Sequence, residues 1–409
     1  MRISLLIERE PFGEILERTL AGFFQSRFGR SYIVKWRPKL SSAYPDPNAQ
    51  IWLCNPFLNA IFVPCVSKKN LLPVINEFKY SPVWWKKPFQ KIYVDFAVSR
   101  KCRSFFANSG IEIIPGIDHP EDILILGGNN HIRVLDFTTQ KAFVIIKHGF
   151  DSELLKNDIL IRTQHPYLPA PLIVDTAQDG TWYAEELILG TPINRLKDQK
   201  KAYFAFHSVC DPLFRLYEKT IQPIKMEEYT LKLVQQVKSC IKENTLLKRE
   251  EKEDLLSFTM DLSGIITNFK ANNETIPVAK THGDLQPANI LWGKGQTWLI
   301  DWEYTETRQV AYDGLVFALS SRFPTGLSKR VRSILNDDTS DAKQILQNWP
   351  YVEWKEKERR LLIFAFFFLE EIILKLKESS RSDQVQPDHG FSVFCKETKI
   401  AIETLQNRC

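Results

Sequence analysis

The chain has 409 residues, 44% of them apolar and 25% charged, with a net charge of +5. That balance excludes wholesale disorder and leaves room for two or three domains. Its basic residues are spread along the sequence, which indicates a solvated surface and no nucleic-acid partner. The seven cysteines, from Cys54 to Cys409, are odd in number and contain no CxxC pair. They read as reduced thiols of a cytoplasmic protein rather than a disulfide framework or zinc site.

In chain order, residues 1–120 are expected to form an N-terminal α/β region. Its apolar opening is too short for a signal peptide. Ile3–Ile7 is expected as a strand, Glu14–Phe28 as an amphipathic helix, and Tyr32–Trp36, Ile51–Leu53 and Ile92–Ala97 as further strands. The alternation suggests a small doubly wound layer, with no phosphate loop or nucleophile in it. The stretch Val83-Trp84-Trp85-Lys86-Lys87-Pro88-Phe89 mixes rings with basic residues, a combination found on membrane surfaces and in nucleic-acid stacking. A loop whose tryptophans pack on a neighbouring domain is expected here.

Residues 121–190 carry a different pattern. Ile123–Leu126 leads into Gly127-Gly128-Asn129-Asn130, then His131–Phe137, a polar turn, and Ala142–Lys147, which predicts an antiparallel meander. A helix is expected from Asp151 to Thr163, broken by Pro166–Pro171. Strands near Leu172–Asp175 and Thr181–Leu189 would complete a five-stranded sheet. Residues 191–409 read as mainly helical, with helices at Lys200–Lys219, Met226–Asn244 and Glu250–Ala271. The continuous apolar run Leu361–Leu369 ends at Glu370 and Glu371, far short of the roughly 20 residues that span a bilayer. A buried helix is expected there, and no stable membrane insertion.

The segment carrying chemistry is Thr281-His282-Gly283-Asp284-Leu285-Gln286-Pro287-Ala288-Asn289-Ile290-Leu291. It holds Asp284 and Asn289 close on one loop. Gly293-Lys294-Gly295-Gln296 reads as a hairpin turn, and the apolar strand after it ends in Asp301. This arrangement gathers Asp284, Asn289 and Asp301 around one point. Phosphoryl transfer from ATP needs this equipment: oxygen ligands for Mg2+, and a separate carboxylate to receive the acceptor's hydroxyl proton. Asn289 and Asp301 suit the metal, and Asp284 suits the base.

Thr281–Leu291 resembles the catalytic loop of the aminoglycoside phosphotransferase and choline kinase family. Ile300-Asp301-Trp302-Glu303-Tyr304 resembles that family's metal-binding motif, and Gly283 in His-Gly-Asp points to its small-molecule branch. The resemblance covers roughly Ile123 to Asp313 well, the later helices loosely, and residues 1–120 not at all. It implies an α+β, two-lobed protein-kinase-like fold: an antiparallel-sheet N-lobe at 121–190 and a helical C-lobe at 191–409, behind the extra N-terminal region.

It further implies that Lys147 holds the ATP phosphates, with Asp158 or Glu153 as its ion-pair partner, the other role open to Lys147 being a solubilising charge at a strand end. Gly127 and Gly128 would lie over the triphosphate, although an ordinary hairpin turn explains them equally well. Glu186 would lie in the segment that receives adenine. His282 and Asp313 would brace the catalytic loop, with a helix N-cap as the other role open to Asp313. Gln286 and Glu303 match choline kinases, in which case Trp302 and Tyr304 are candidates for an aromatic cage. An acidic acceptor pocket built from Glu303, Glu306, Glu370 and Glu371 would instead suit an aminoglycoside. The expected activity is transfer of phosphate from ATP, with Mg2+, to the hydroxyl of a small molecule such as an amino alcohol, sugar or aminoglycoside. The alternative is a nucleotide-binding regulatory or scaffold protein on a degenerate kinase, with the N-terminal region binding a partner.

Overall fold

The computed structural model describes residues 2–40, 46–81, 83–107, 109–269, 274–336, 341–380 and 389–408. The chain divides into two compact units, the first formed by 1–159 and 170–191 and the second by 160–169 and 192–409. Each has its own apolar core.

The first unit opens with helices α1 (Ile3–Arg9) and α2 (Phe12–Phe28). The first is a helix where a strand was expected. Ile3 and Leu6, one turn apart, are buried, whereas Leu5 and Ile7 are exposed, so the apolar run has helical rather than alternating spacing. In α2, Phe12, Ile15, Leu16, Thr19, Leu20, Phe23 and Phe24 form a continuous buried stripe, the pattern of a helix laid on a sheet. The helix stops at Gly29, which takes a left-handed φ of 68°.

That sheet has nine strands: β1 (Ile33–Arg37), β2 (Gln50–Asn55), β3 (Ala60–Phe62), β4 (Ser109–Ile114), β5 (Ile123–Gly127), β6 (His131–Asp136), β7 (Lys141–Ile146), β8 (Ile173–Thr176) and β9 (Trp182–Glu186). Their spatial order is β1-β4-β2-β3-β5-β6-β7-β9-β8. The pairings from β1 to β5 are antiparallel, so the doubly wound parallel layer expected for the first 120 residues does not form. The sheet also runs through residue 120 without a break, because β3 pairs with β5 at Ile61 and Ile125. The expected meander of β5, β6 and β7 is present, and β9 and β8 continue it.

Between β3 and β4 lie helices α3 (Leu72–Phe78), α4 (Lys87–Ala97) and α5 (Arg103–Phe106). Helix α4 replaces the strand expected at Ile92–Ala97. Pro88 in its first turn is preset for helical φ, and Val94 and Ala97 are buried one turn apart. Helix α6 (Glu153–Gln164) follows β7.

The chain passes through the two-residue strand β10 (Thr191–Pro192) into the second unit. Helices α7 (Gln199–Thr220), α8 (Met226–Glu243) and α9 (Arg249–Asn268) stand at the expected places. The expected end of the last, at Ala271, lies outside the described residues. A three-stranded antiparallel sheet sets β12 (Thr275–Thr281) between β11 (Gln222–Lys225) and β15 (Glu306–Gln309). Strands β13 (Ile290–Gly293) and β14 (Gln296–Leu299) form the anticipated hairpin.

Helices α10 (Tyr312–Leu319), α11 (Leu327–Leu335), α12 (Asp341–Gln347), α13 (Lys357–Ser379) and α14 (His389–Gln406) complete the unit. Helix α13 is the expected buried helix: every residue from Arg360 to Leu374 is buried. Among the described residues, no helix is long and apolar enough to cross a membrane.

Candidate active site

The loop between β12 and β13 carries His282, Asp284 and Asn289 and is tied down from three sides. Gly283 has a φ of 85°, and a Cβ there would lie 2.2 Å from the Tyr304 carbonyl oxygen, so only glycine fits. Asp313, in the first turn of α10, accepts from the backbone N–H of His282 at 2.7 Å and of Gly283 at 2.8 Å. The Tyr217 hydroxyl donates to the same carboxylate at 2.8 Å. Asp313 therefore braces the loop and does not cap the helix, whose N-cap position is Ala311.

His282 is completely buried. Its Nδ1 accepts from the Asp284 N–H at 3.1 Å, and its Nε2 lies 3.0 Å from the Ile300 carbonyl oxygen. An acceptor on one side and a donor on the other fix a neutral imidazole with the proton on Nε2. Both nitrogens are thus engaged with the backbone, and His282 braces the loop.

Asp284 is gripped through both carboxylate oxygens. Gln286 Nε2 donates to Oδ2 at 2.8 Å and Asn289 Nδ2 to the same oxygen at 2.7 Å. Asn289 Nδ2 also reaches the Asp284 carbonyl oxygen at 3.0 Å. With its NH2 group spent in this way, Asn289 retains its Oδ1 as an acceptor for a cation. The Ile300 N–H donates to the Asn289 carbonyl oxygen at 3.0 Å, tying the backbone one residue before Asp301 to Asn289. Asp301 sits at the end of the hairpin with a φ of 65°, a left-handed conformation uncommon outside glycine. One amide oxygen and one carboxylate match the hard oxygen ligands Mg2+ takes while keeping several waters.

Arg322, just beyond α10, escaped the sequence reading. Its Nε donates to Asp284 Oδ1 at 2.6 Å, its Nη2 to the Gly283 carbonyl oxygen, and its Nη1 to both oxygens of Glu371 at 3.0 and 2.8 Å. Burial works against its charge, yet Glu371, Tyr312 and Asp284 push its pKa well above the usual value. The guanidinium fork is suited to this three-way bridge. No local spacing announces it, since Arg322 and Asp284 are 38 residues apart.

Of the four carboxylates of the proposed acidic pocket, Glu306 and Glu370 line one small pocket, shared with Tyr229 and the cations Lys232 and Arg308. Glu371 is bound by Arg322 and Tyr312, and Glu370 accepts from the Tyr229 hydroxyl, the Gln309 N–H and Gln309 Nε2. Both lie inside the helical core, where burial pushes Glu370 up to about 7. Glu306 is paired with Arg308 and Lys377. The cage idea fails for Trp302, which is fully buried, donates to the Leu299 carbonyl oxygen and sits edge-on to His282 at 4.6 Å. Tyr304 is half-buried.

In the first unit Lys147, one residue past β7, is completely buried. Its Nζ binds Glu10 Oε1 at 2.5 Å, with the rings of Phe150 and Phe12 5.2 and 5.9 Å away. Burial pushes both partners toward neutrality, Lys147 down to about 8 and Glu10 up from its usual value. The expected partners are otherwise engaged: Asp158 accepts from the Tyr183 hydroxyl at 2.6 Å, and Glu153 pairs with Lys156. Glu10 takes their place because it sits at the bend between α1 and α2 with its side chain buried.

Gly127 is not an open phosphate cradle. Its N–H donates to Asn59 Oδ1 at 3.1 Å and its carbonyl oxygen accepts from Asn59 Nδ2 at 2.8 Å. A Cβ at Gly127 would press on Ile3 and Leu6, and one at Gly128 would meet the His131 carbonyl oxygen at 2.7 Å. These glycines serve α1 packing and a tight turn. Glu186 ends β9, exposed.

No family model and no curated protein matches the sequence. Among solved structures the chain is similar to small-molecule kinases. A choline/ethanolamine kinase family protein from Mesorhizobium loti is 11% identical with a TM-score of 0.45, covering 78% of this chain and 94% of its own. A thermostable mutant of an aminoglycoside phosphotransferase is 10% identical at a TM-score of 0.45, covering 70% and 95%. An ethanolamine kinase from Plasmodium vivax is 12% identical at 0.41, covering 84% and 100%.

Proposed function

We propose that the protein is an ATP- and Mg2+-dependent phosphotransferase acting on the hydroxyl of a small molecule: an amino alcohol, a sugar or an aminoglycoside. The observation that carries this reading is the Asp284–Asn289 pair, bonded to each other on a loop braced by Asp313 and His282. A carboxylate has about four lone-pair sites, and three are taken here, so Asp284 keeps one on Oδ1 for the acceptor hydroxyl. It would orient that hydroxyl and accept its proton as the phosphorus–oxygen bond forms. The transition state is loose and demands little deprotonation of the nucleophile, so orienting the hydroxyl is the larger part of this task. Asn289 and Asp301 would hold Mg2+, which when bound neutralises charge on the phosphate oxygens. Lys147 would meet the α- and β-phosphates as a point charge.

The test is Mg2+-dependent ADP release over a panel of choline, ethanolamine, sugars and aminoglycosides, with Asp284→Asn alongside. Acceptor-stimulated turnover that vanishes in the variant supports the reading. A second reading, a nucleotide-binding regulatory protein, is favoured by the complete burial of Lys147 against Glu10. Saturable ATP binding with no turnover on any acceptor would establish that one instead.

A further inference from the structure

Helix α4 carries apolar side chains outward as well as inward. Val94 and Ala97 are buried, but Phe89, Ile92 and Phe96, spaced i, i+3, i+7 on another stripe, are 71, 55 and 54% exposed. The turn before the helix adds Trp84 and Trp85, at 84 and 53%, and α5 adds Phe105 at 83%. The tryptophans thus do not pack on a neighbouring domain as the sequence suggested. Scattered exposed apolar residues are ordinary, but a stripe with flanking indoles in one short stretch marks an interaction surface.

The charges segregate with it. From Val83 to Phe106 the basic residues are Lys86, Lys87, Lys91, Arg100, Lys101 and Arg103, against one carboxylate, Asp95. All of these basic residues except Arg103 are exposed. Asp95 is paired with Lys79 at 2.6 Å, and Lys86 lies 5.1 Å from the Trp85 ring.

We propose that α4 and its flanking turns dock the protein on an anionic lipid surface. The apolar stripe would enter the boundary between headgroups and acyl chains. The indoles would lie at headgroup level, and the lysines would reach lipid phosphates. A nucleic acid would stack on the rings but give Ile92 no partner. A protein interface core is depleted of lysine, whereas here Lys86, Lys87 and Lys91 are interleaved with the rings.

Flotation of the full-length protein with phosphatidylcholine vesicles, with and without phosphatidylglycerol, tests this. The protein is expected to float with the anionic vesicles and to be released by salt. Trp84→Ser with Phe89→Ser lowers the partition coefficient about tenfold or more. The triple change Lys86→Gln, Lys87→Gln, Lys91→Gln also lowers it about tenfold or more and flattens the salt dependence. All five side chains are exposed, so melting temperature and circular dichroism should match the parent. Absence of flotation, equal flotation without phosphatidylglycerol, or full binding by the double variant each overturns the proposal. Oligonucleotide binding or self-association that the double variant loses, in a protein that does not float, assigns the surface to that partner instead.

Discussion

Lys147 and Asp284 are both buried charges, but they are secured in different ways. Asp284 sits in a net of hydrogen bonds from its own loop, and only Arg322 comes from further along the second unit. Lys147 has one ion-pair partner, Glu10, 137 residues away, and is otherwise enclosed by aromatic rings. A charge held by many donors keeps its geometry when one is lost. A charge held by a single partner in apolar surroundings has no reserve, and its ionisation depends on that partner. The loop is thus built for fixed geometry, whereas Lys147 depends on the placement of two N-terminal helices.

Substitutions can break this contrast. Asp284→Asn preserves shape but removes the proposed base, and kcat should fall by about a thousandfold with the fold intact. An unchanged kcat would remove the proposed chemistry. Arg322→Ala strips a cation from Asp284 and leaves Glu371 buried without it. A loss of about 3 kcal/mol in unfolding free energy is expected by denaturant titration, with Glu371→Gln recovering part of it. No change in stability would show that the bridge is ornamental.

The pH dependence of stability comes third. Burial raises Glu370 from 4.5 in the unfolded chain to about 7 in the fold. Between those values the folded state binds more protons at this site, so the Glu370 contribution to stability is largest below about 4.5 and is lost as pH rises toward 7. The decline should amount to about 3 kcal/mol and be missing in Glu370→Gln, as followed by melting temperature across that window.

The smallest effect tests the other side of the comparison. Glu10→Gln should raise KM for ATP about tenfold with little change in kcat. Without Glu10 to oppose burial, the pKa of Lys147 falls below about 8. The alkaline limb of the kcat/KM profile for ATP should therefore move to lower pH. A KM and profile like the parent's would mean that Glu10 does not set the state of Lys147.

The same contrast explains what was legible. His282, Asp284 and Asn289 lie within eight residues, and Asp301 and Asp313 follow at local spacings. The loop's braces are therefore written close together. Glu10 and Arg322 became visible only with the tertiary pairing, because a lone Glu or Arg has no spacing to betray it. Short apolar runs misled for another reason. Over only five and six residues, Ile3–Ile7 and Ile92–Ala97 fit strand and helix patterns alike, and the packing of Ile3, Leu6, Val94 and Ala97 decided between them. The meander and the buried α13, longer and more strongly patterned, left no such ambiguity.

The pairing of β3 with β5 makes the opening 120 residues structural flooring, not a removable appendage. A truncated protein starting at residue 121 would present the bare backbone edge of β5 and the uncovered apolar side of the meander. It would also strand Lys147 without a counter-ion. Such a fragment would collect in inclusion bodies rather than report on a minimal catalytic core.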